Sequence, residues 1–196
     1  MGREVVRAYA PASRSVKFFI RRGRDQRIMK NLEAKFRLAN HAEAEKRAAA
    51  LGYTRRAILN QRDTFFRVAN GKLKMREENG ASVLIFYHRD ESGPLMLSHY
   101  DIVPVADPAR TLQILTAALG TIAVVEKVRT LMLLRNVRLH LDRVANLGDF
   151  GEIEAVIPDG DDPERSRAAV DEILAALGVA PTGLIDVSYF EMRAKD

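Results

Sequence analysis

At 196 residues, 47% of them hydrophobic, the chain is of a size for one globular domain with a sizeable core. It has no Cys, which excludes disulfides and thiolate metal sites, and no apolar run long enough to span a bilayer. The net charge of +5 is carried by residues 1–29, where eight basic groups face two acidic ones; the remainder is −1, so bulk charge gives a nucleic-acid partner no support.

Residues 1–28 show no period and read as a basic extension, dispensable to a single domain at 29–196. The first convincing strand covers 30–38, with Asn31, Glu33, Lys35 and Arg37 on one face and Leu32, Ala34, Phe36 and Leu38 on the other. Asn40 with Glu43 is a helix start, and Gly52 is the matching stop. Residues 58–68 form a strand running into the hairpin signal Asn70-Gly71. The strand at 72–78 puts Lys72, Lys74, Arg76 and Glu78 on one face, and Asn79-Gly80 turns it into a strand at 82–89. The DESGP turn at 90–94 leads to a strand at 95–103. Asp107-Pro108 opens a second helix that closes at Leu119-Gly120, and Asp162-Pro163 opens a third that closes at Leu177-Gly178. The last segment, LIDVSYFEM at 184–192, reads as a strand.

Between the second and third helices lies the most informative stretch, 124–157. Lys127 and Arg129 share a face of one strand, Arg138, His140 and Asp142 of the next, and Glu152 and Glu154 of a third, with Val128, Leu139, Leu141, Ile153 and Ala155 opposite. A half-buried sheet with its charges toward water is the plain alternative. It predicts scattered charges rather than basic and acidic pairs on successive strands. About eight hairpin-linked strands with three helices give an α+β fold, and such a sheet can close into an eight-stranded antiparallel β-barrel with a polar lumen and flanking helices.

The basic residues of that face are Lys35, Arg37, Lys74, Arg76, Lys127, Arg129 and Arg138, and the acidic ones Glu33, Asp142, Glu152 and Glu154. A like-charged pair at about 4 Å costs roughly 4 kcal/mol at an effective dielectric near 20, so converging cations call for a polyanion. A triphosphate suits Arg and Lys. Carboxylates suit Mg²⁺ or Mn²⁺, which binds one or two of them together with phosphate oxygens. His140 reads as a packing or hydrogen-bonding residue, because no second His or Cys stands at ligand spacing.

At these residues the chain resembles the CYTH family, the triphosphate tunnel metalloenzymes, which include class IV adenylyl cyclases, thiamine triphosphatases and inorganic triphosphatases. The resemblance covers about residues 29–192. Its carriers are Asn31-Leu32-Glu33-Ala34-Lys35 against an E-x-E-x-K hallmark, Lys74-Met75-Arg76, Lys127-Val128-Arg129, Arg138 with Asp142, and Glu152-Ile153-Glu154 after Leu147-Gly148-Asp149-Phe150; QRDTFF at 61–66 is also similar. Asn31 departs from the hallmark Glu, so one carboxylate is lost from the first strand. The resemblance implies an eight-stranded tunnel and metal-dependent chemistry on a triphosphate. Glu33, Asp142, Glu152 and Glu154 are expected at the metal, and Lys35, Arg37, Lys74, Arg76, Lys127, Arg129 and Arg138 at the phosphates, with Lys35 and Arg129 catalytic. Hydrolysis of a nucleoside, thiamine or inorganic triphosphate is the first expectation. Cyclisation of ATP to cyclic AMP and pyrophosphate is the second, and a non-catalytic polyphosphate or nucleotide sensor the third. The expected location is cytoplasmic, with no membrane partner, and a homodimer is compatible with the sequence.

Overall fold

The computed structural model describes residues 30–90, 96–157 and 163–193. Residues 1–28, most of the DESGP turn and Asp162 lie outside the described residues. The strands are β1 (Lys30–Arg37), β2 (Thr54–Phe66), β3 (Lys72–Glu78), β4 (Ala81–Asp90), β5 (Met96–Pro104), β6 (Thr121–Leu134), β7 (Val137–Val144) and β8 (Gly148–Ile157). The helices are α1 (His41–Ala50), α2 (Pro108–Leu119), α3 (Pro163–Leu177) and a short α4 (Tyr189–Arg193), with a 3₁₀ turn at Pro181–Gly183. Among the described residues these eight strands form one antiparallel sheet in the order β1-β5-β4-β3-β2-β6-β7-β8. β1 pairs with β8 from Lys30↔Ile157 to Arg37↔Phe150 and with β5 at Leu32↔Leu97 and Glu33↔Met96. No described helix is long and apolar enough to cross a membrane.

Local chemistry explains the elements. Asn40 Oδ1 accepts the Glu43 amide at 3.0 Å and Asp107 Oδ1 the Arg110 amide at 3.0 Å, capping α1 and α2. Asn79 and Gly80 both have positive φ, 46° and 83°, as a two-residue β3–β4 hairpin requires. β2 begins four residues before the expected 58, because Thr54, Arg55 and Ala57 pair with β6 across a register shift at Arg56 despite lacking alternation.

The two faces of the sheet differ as the alternation requires. On one face Ala34, Phe36, Leu139, Leu141, Ile153 and Ala155 pack with Ala44 and Ala48 of α1 and Val170 and Ile173 of α3. Phe36 stands opposite Gly151 in the β1–β8 register, and a Cβ at Gly151 would meet its ring at 2.2 Å, so this crossing admits only glycine. On the other face, Phe65, Val83, Ile85, Tyr87, Val125, Val144 and Phe150 form a second cluster, so that face is part charged and part apolar.

The expected C-terminal strand is not formed. Residue 184 makes one antiparallel bridge to Phe36, and the Ile185 amide donates to Lys35 O at 2.8 Å. The chain then turns into α4. Ser188 N and Oγ donate to Glu191 Oε2 at 2.6 and 2.7 Å, a capping box that starts a helix where alternation suggested a strand. Lys72 Nζ holds Glu191 at 2.8 Å, and Phe190 stacks on Phe65 with ring centroids 5.0 Å apart. These contacts seat Tyr189 within the second cluster.

Candidate active site

A cavity of about 130 Å³ lies on the charged face. Period-two alternation delivers its side chains: Glu33 and Lys35 from β1, Asp63 from β2, Lys74 and Arg76 from β3, Lys127 and Arg129 from β6, and Glu152 and Glu154 from β8. Ile85, Tyr87, Ile102, Phe65 and Val125 form its apolar side, and Ser188 and Tyr189 of the C-terminal segment complete the lining.

The cations are held in two similar clamps. In the first, Asp63 faces Arg76 across β2–β3 and accepts Nε at 2.7 Å and Nη2 at 2.7 Å, with Lys74 Nζ at 2.9 Å. In the second, Asp142 faces Arg129 across β6–β7 and accepts Nε at 2.7 Å and Nη2 at 2.6 Å, with Lys127 Nζ at 3.2 Å. Each clamp is thus a Lys-x-Arg pair gripped by one buried Asp on the neighbouring strand, the Arg bidentate. Tyr189 Oη donates to Asp142 at 3.1 Å, and its ring lies against Lys35 Nζ at 4.4 Å and Lys127 Nζ at 4.8 Å. Glu152 accepts Lys35 at 3.1 Å and also binds Arg129; Glu154 accepts Arg138 at 3.2 Å. The expected mutual repulsion of the cations is therefore largely offset: each cation already has a carboxylate partner.

Burial and pairing set the protonation states. Burial pushes the Asp63 carboxyl up, but Arg76 and Lys74 outweigh it and hold it well below the usual carboxylate range. Against the same burial, Arg129 and Lys127 bring Asp142 down to about 2. Burial and the adjacent Arg76 lower Lys74 to about 7, with Asp63 opposing. Lys127 is lowered by burial and Arg129. Burial and the carboxylates of Glu152 and Asp142 push the Tyr189 hydroxyl well up. Burial and Arg129 hold His140 below its ordinary value, so the ring is neutral at pH 7.

The cavity thus brings together Glu33, Lys35, Lys74, Arg76, Lys127, Arg129, Glu152 and Glu154. Three expected site residues stand elsewhere. Arg37 is exposed at the end of β1, donating to Leu147 O at 3.3 Å and stacking on Phe150, and it does not line the cavity. Arg138 is buried behind Glu154. Asp142 has no exposed surface and does not line the cavity; its oxygens accept Lys127, Arg129 and the Tyr189 hydroxyl, so it orients the second clamp from behind. Asn31 pairs with Val156, and its side chain lies outside the described residues. Asp63 and Tyr189 are additions. Asp63 shares the period-two face of β2 with Gln61 and Phe65, and the S-x-x-E spacing at 188–191 marks the helix that carries Tyr189.

Glu33 and Glu154 are direct register partners, and Glu152 lines the same cavity. Among the described residues no three of His, Asp and Glu stand ready as a metal cage. An ion such as Mg²⁺ needs only one or two carboxylates and completes its shell with water and phosphate oxygens, and the paired Glu33 and Glu154 can supply those carboxylates. The residues fit such an ion.

Several solved structures share the fold. The PH1012 protein from Pyrococcus horikoshii is 23% identical over 82% of this chain and 98% of its own, with a TM-score of 0.72. A putative adenylate cyclase from Vibrio parahaemolyticus is 16% identical over 86% and 99%, with a TM-score of 0.71. HpAC1 from Hippeastrum, described as a putative adenylyl cyclase with a dominant triphosphatase activity, is 18% identical over 85% and 96%, with a TM-score of 0.58. No curated protein matches the chain. The model of the CYTH domain matches residues 29–189, and the chain belongs to the CYTH family.

Proposed function

We propose that the protein is a metal-dependent triphosphatase acting on a nucleoside, thiamine or inorganic triphosphate. The observation that carries this reading is the convergence of two Lys-x-Arg clamps, Lys35 and three glutamates on one cavity. We infer further that the sheet acts as a closed tunnel, β1 having partners on both edges. In this reading Lys74, Arg76 and Lys127 grip the phosphate chain through charge-assisted hydrogen bonds. Lys35 and Arg129 neutralise charge developing at the reacting phosphoryl group. Asp63 and Asp142 fix the arginine forks before substrate arrives, which avoids reorganisation during reaction. Arg138 fixes Glu154, and Arg37 stands at the rim. Glu33, Glu152 and Glu154 would hold Mg²⁺ or Mn²⁺, which when bound would polarise the phosphoryl group and lower the pKa of a bound water.

The test is turnover of ATP, thiamine triphosphate and inorganic triphosphate with Mg²⁺ or Mn²⁺, resolving orthophosphate, pyrophosphate and cyclic AMP. Orthophosphate supports the reading and names the substrate. Cyclic AMP with pyrophosphate replaces it with a cyclase. Tight triphosphate binding with no product replaces it with a sensor, and neither binding nor turnover ends all three.

A further inference from the structure

The segment that ends in α4 has no role in the reading above, yet it lies across one end of the cavity. The Ile185 amide donates to Lys35 O of β1, Phe190 stacks on Phe65 of β2, and Glu191 pairs with Lys72 of β3. Tyr189 sets its ring against Lys127 of β6, donates to Asp142 of β7, and packs edge-on against Phe150 of β8 at 5.1 Å between centroids. Those strands run consecutively in the sheet from β3 to β1, so the segment spans the cavity instead of flanking one edge. Position along the strands sets what stands at each end. On β1 Lys35 is nearer the segment than Glu33, and on β8 Phe150 touches it while Glu154 lies farther off. The stopped end therefore carries the ammonium groups of Lys35 and Lys127 against the Tyr189 ring, and the glutamates stand toward the other end. Exposure follows the same order, 5% for the Lys35 side chain and 16% for Glu154. Cavities that enclose a drug-sized ligand run to about 300–1,000 Å³. At about 130 Å³, this one has room for phosphate groups and none for a nucleoside or thiamine beside them.

We infer that the C-terminal segment stops one end of the tunnel, so that the site takes only phosphate chains with an unsubstituted end, and that this end points at Tyr189. The inference rests on the triphosphate reading of the site. A head group has to lie outside the cavity, and the segment leaves only the glutamate side for it. Charge favours the same orientation. An unsubstituted terminal phosphate carries about −1.5 to −2 near pH 7, and one substituted on both sides carries less. The more charged end is drawn to the lysines and away from Glu33 and Glu154.

The experiment uses the full chain with Mg²⁺. Calorimetry compares a methylene-bridged ATP analogue, which has one free end, with diadenosine tetraphosphate, which matches it in charge and has none. The expected affinity is at least about thirtyfold weaker for the two-headed ligand. Inorganic tetraphosphate, the same chain without heads, controls for length and binds within about threefold of the analogue or more tightly. Phe190→Ala withdraws one ring from the stopper and no lining side chain, and narrows the gap at least about threefold. A parental gap under about thirtyfold, turnover of diadenosine tetraphosphate, or exclusion of tetraphosphate as strong as that of the two-headed ligand overturns the inference and leaves a triphosphatase standing. A gap unchanged in folded Phe190→Ala overturns the assignment of the stop to this segment. No binding of any of these ligands, with no turnover of a triphosphate, overturns the triphosphate reading and the inference together.

Discussion

Asp63→Asn isolates the charge of one clamp with almost no change in shape. Asp63 is 3% exposed and accepts three hydrogen bonds from two cations, at 2.7, 2.7 and 2.9 Å. Removing one partner of a buried ion pair typically costs about 3–5 kcal/mol, because the other charge stays buried and uncompensated. Here the lower end applies. Lys74, already brought to about 7, can shed its proton when Asp63 is gone, and only Arg76 is left charged. For a domain of this size, about 3 kcal/mol corresponds to a fall in Tm of roughly 6–12 °C. Urea unfolding followed by circular dichroism gives the same quantity as a lower midpoint at unchanged slope. The sign of the pH dependence adds a check. The folded pKa of Asp63 is far below its ordinary 3.8, so its contribution is present above about 4 and is lost as pH falls further. Asp63→Asn should therefore show a shallower acid limb than the parent. A midpoint shift equivalent to less than about 0.5 kcal/mol would refute the clamp argument, since that is the level of an ordinary surface substitution.

Arg76→Ala should weaken binding of a non-hydrolysable triphosphate by roughly tenfold to a hundredfold, the range for one charge-assisted hydrogen-bonding group, and calorimetry showing unchanged affinity would remove Arg76 from the phosphate set. Affinity for the same ligand should fall as pH rises through about 7, where Lys74 loses its charge, and Lys74→Met should flatten that profile; a parent profile flat from pH 6 to 8 contradicts it. Gly151→Ala should cost about 1–3 kcal/mol or more in unfolding experiments, because the new methyl meets the Phe36 ring at 2.2 Å; a neutral outcome means that the two strands can part at little cost.

How much of this was legible in the sequence follows from which contacts are local. Alternation on β1, β3, β6, β7 and β8 put the charged residues on one face, because side-chain direction in a strand depends only on parity. Helix starts were legible because Asn40 and Asp107 act on amides three residues away. Asp63 was not, because its meaning lies in facing Arg76, thirteen residues later and on another strand. Asp142 stands the same thirteen residues from Arg129, and its grip on that side chain was hidden for the same reason: parity gives the face, not the partner. Arg37 obeyed parity too, but it stands at the strand end, where the face opens to solvent. Tyr189 was hidden by an alternating segment whose capping box, Ser188 with Glu191, outweighed its strand pattern. The pairing of β1 with β5 joins residues more than sixty positions apart, which no local pattern encodes.

The paired clamps change what must accompany a triphosphate into the cavity. Lys35, Lys74, Arg76, Lys127, Arg129 and Arg138 are six cations, set against the five carboxylates of Glu33, Asp63, Asp142, Glu152 and Glu154, which leaves one net positive charge. A triphosphate brings several negative charges. At an effective dielectric near 20, each uncompensated like-charged pair at about 4 Å costs roughly 4 kcal/mol, so the cradle alone is a poor host. A divalent ion arriving at Glu33, Glu152 and Glu154 makes up the difference, and protons do so in part. Calorimetry of a methylene-bridged triphosphate should therefore show affinity at least about a hundredfold weaker in chelator than in Mg²⁺, since even one such pair is worth more than two decades. Metal-free affinity should recover partly as pH falls through about 7 and Lys74 regains its proton. Equal affinity with and without Mg²⁺ would mean that the clamps release their carboxylates on binding, and that the cavity works as a basic funnel rather than as a neutralised frame completed by metal.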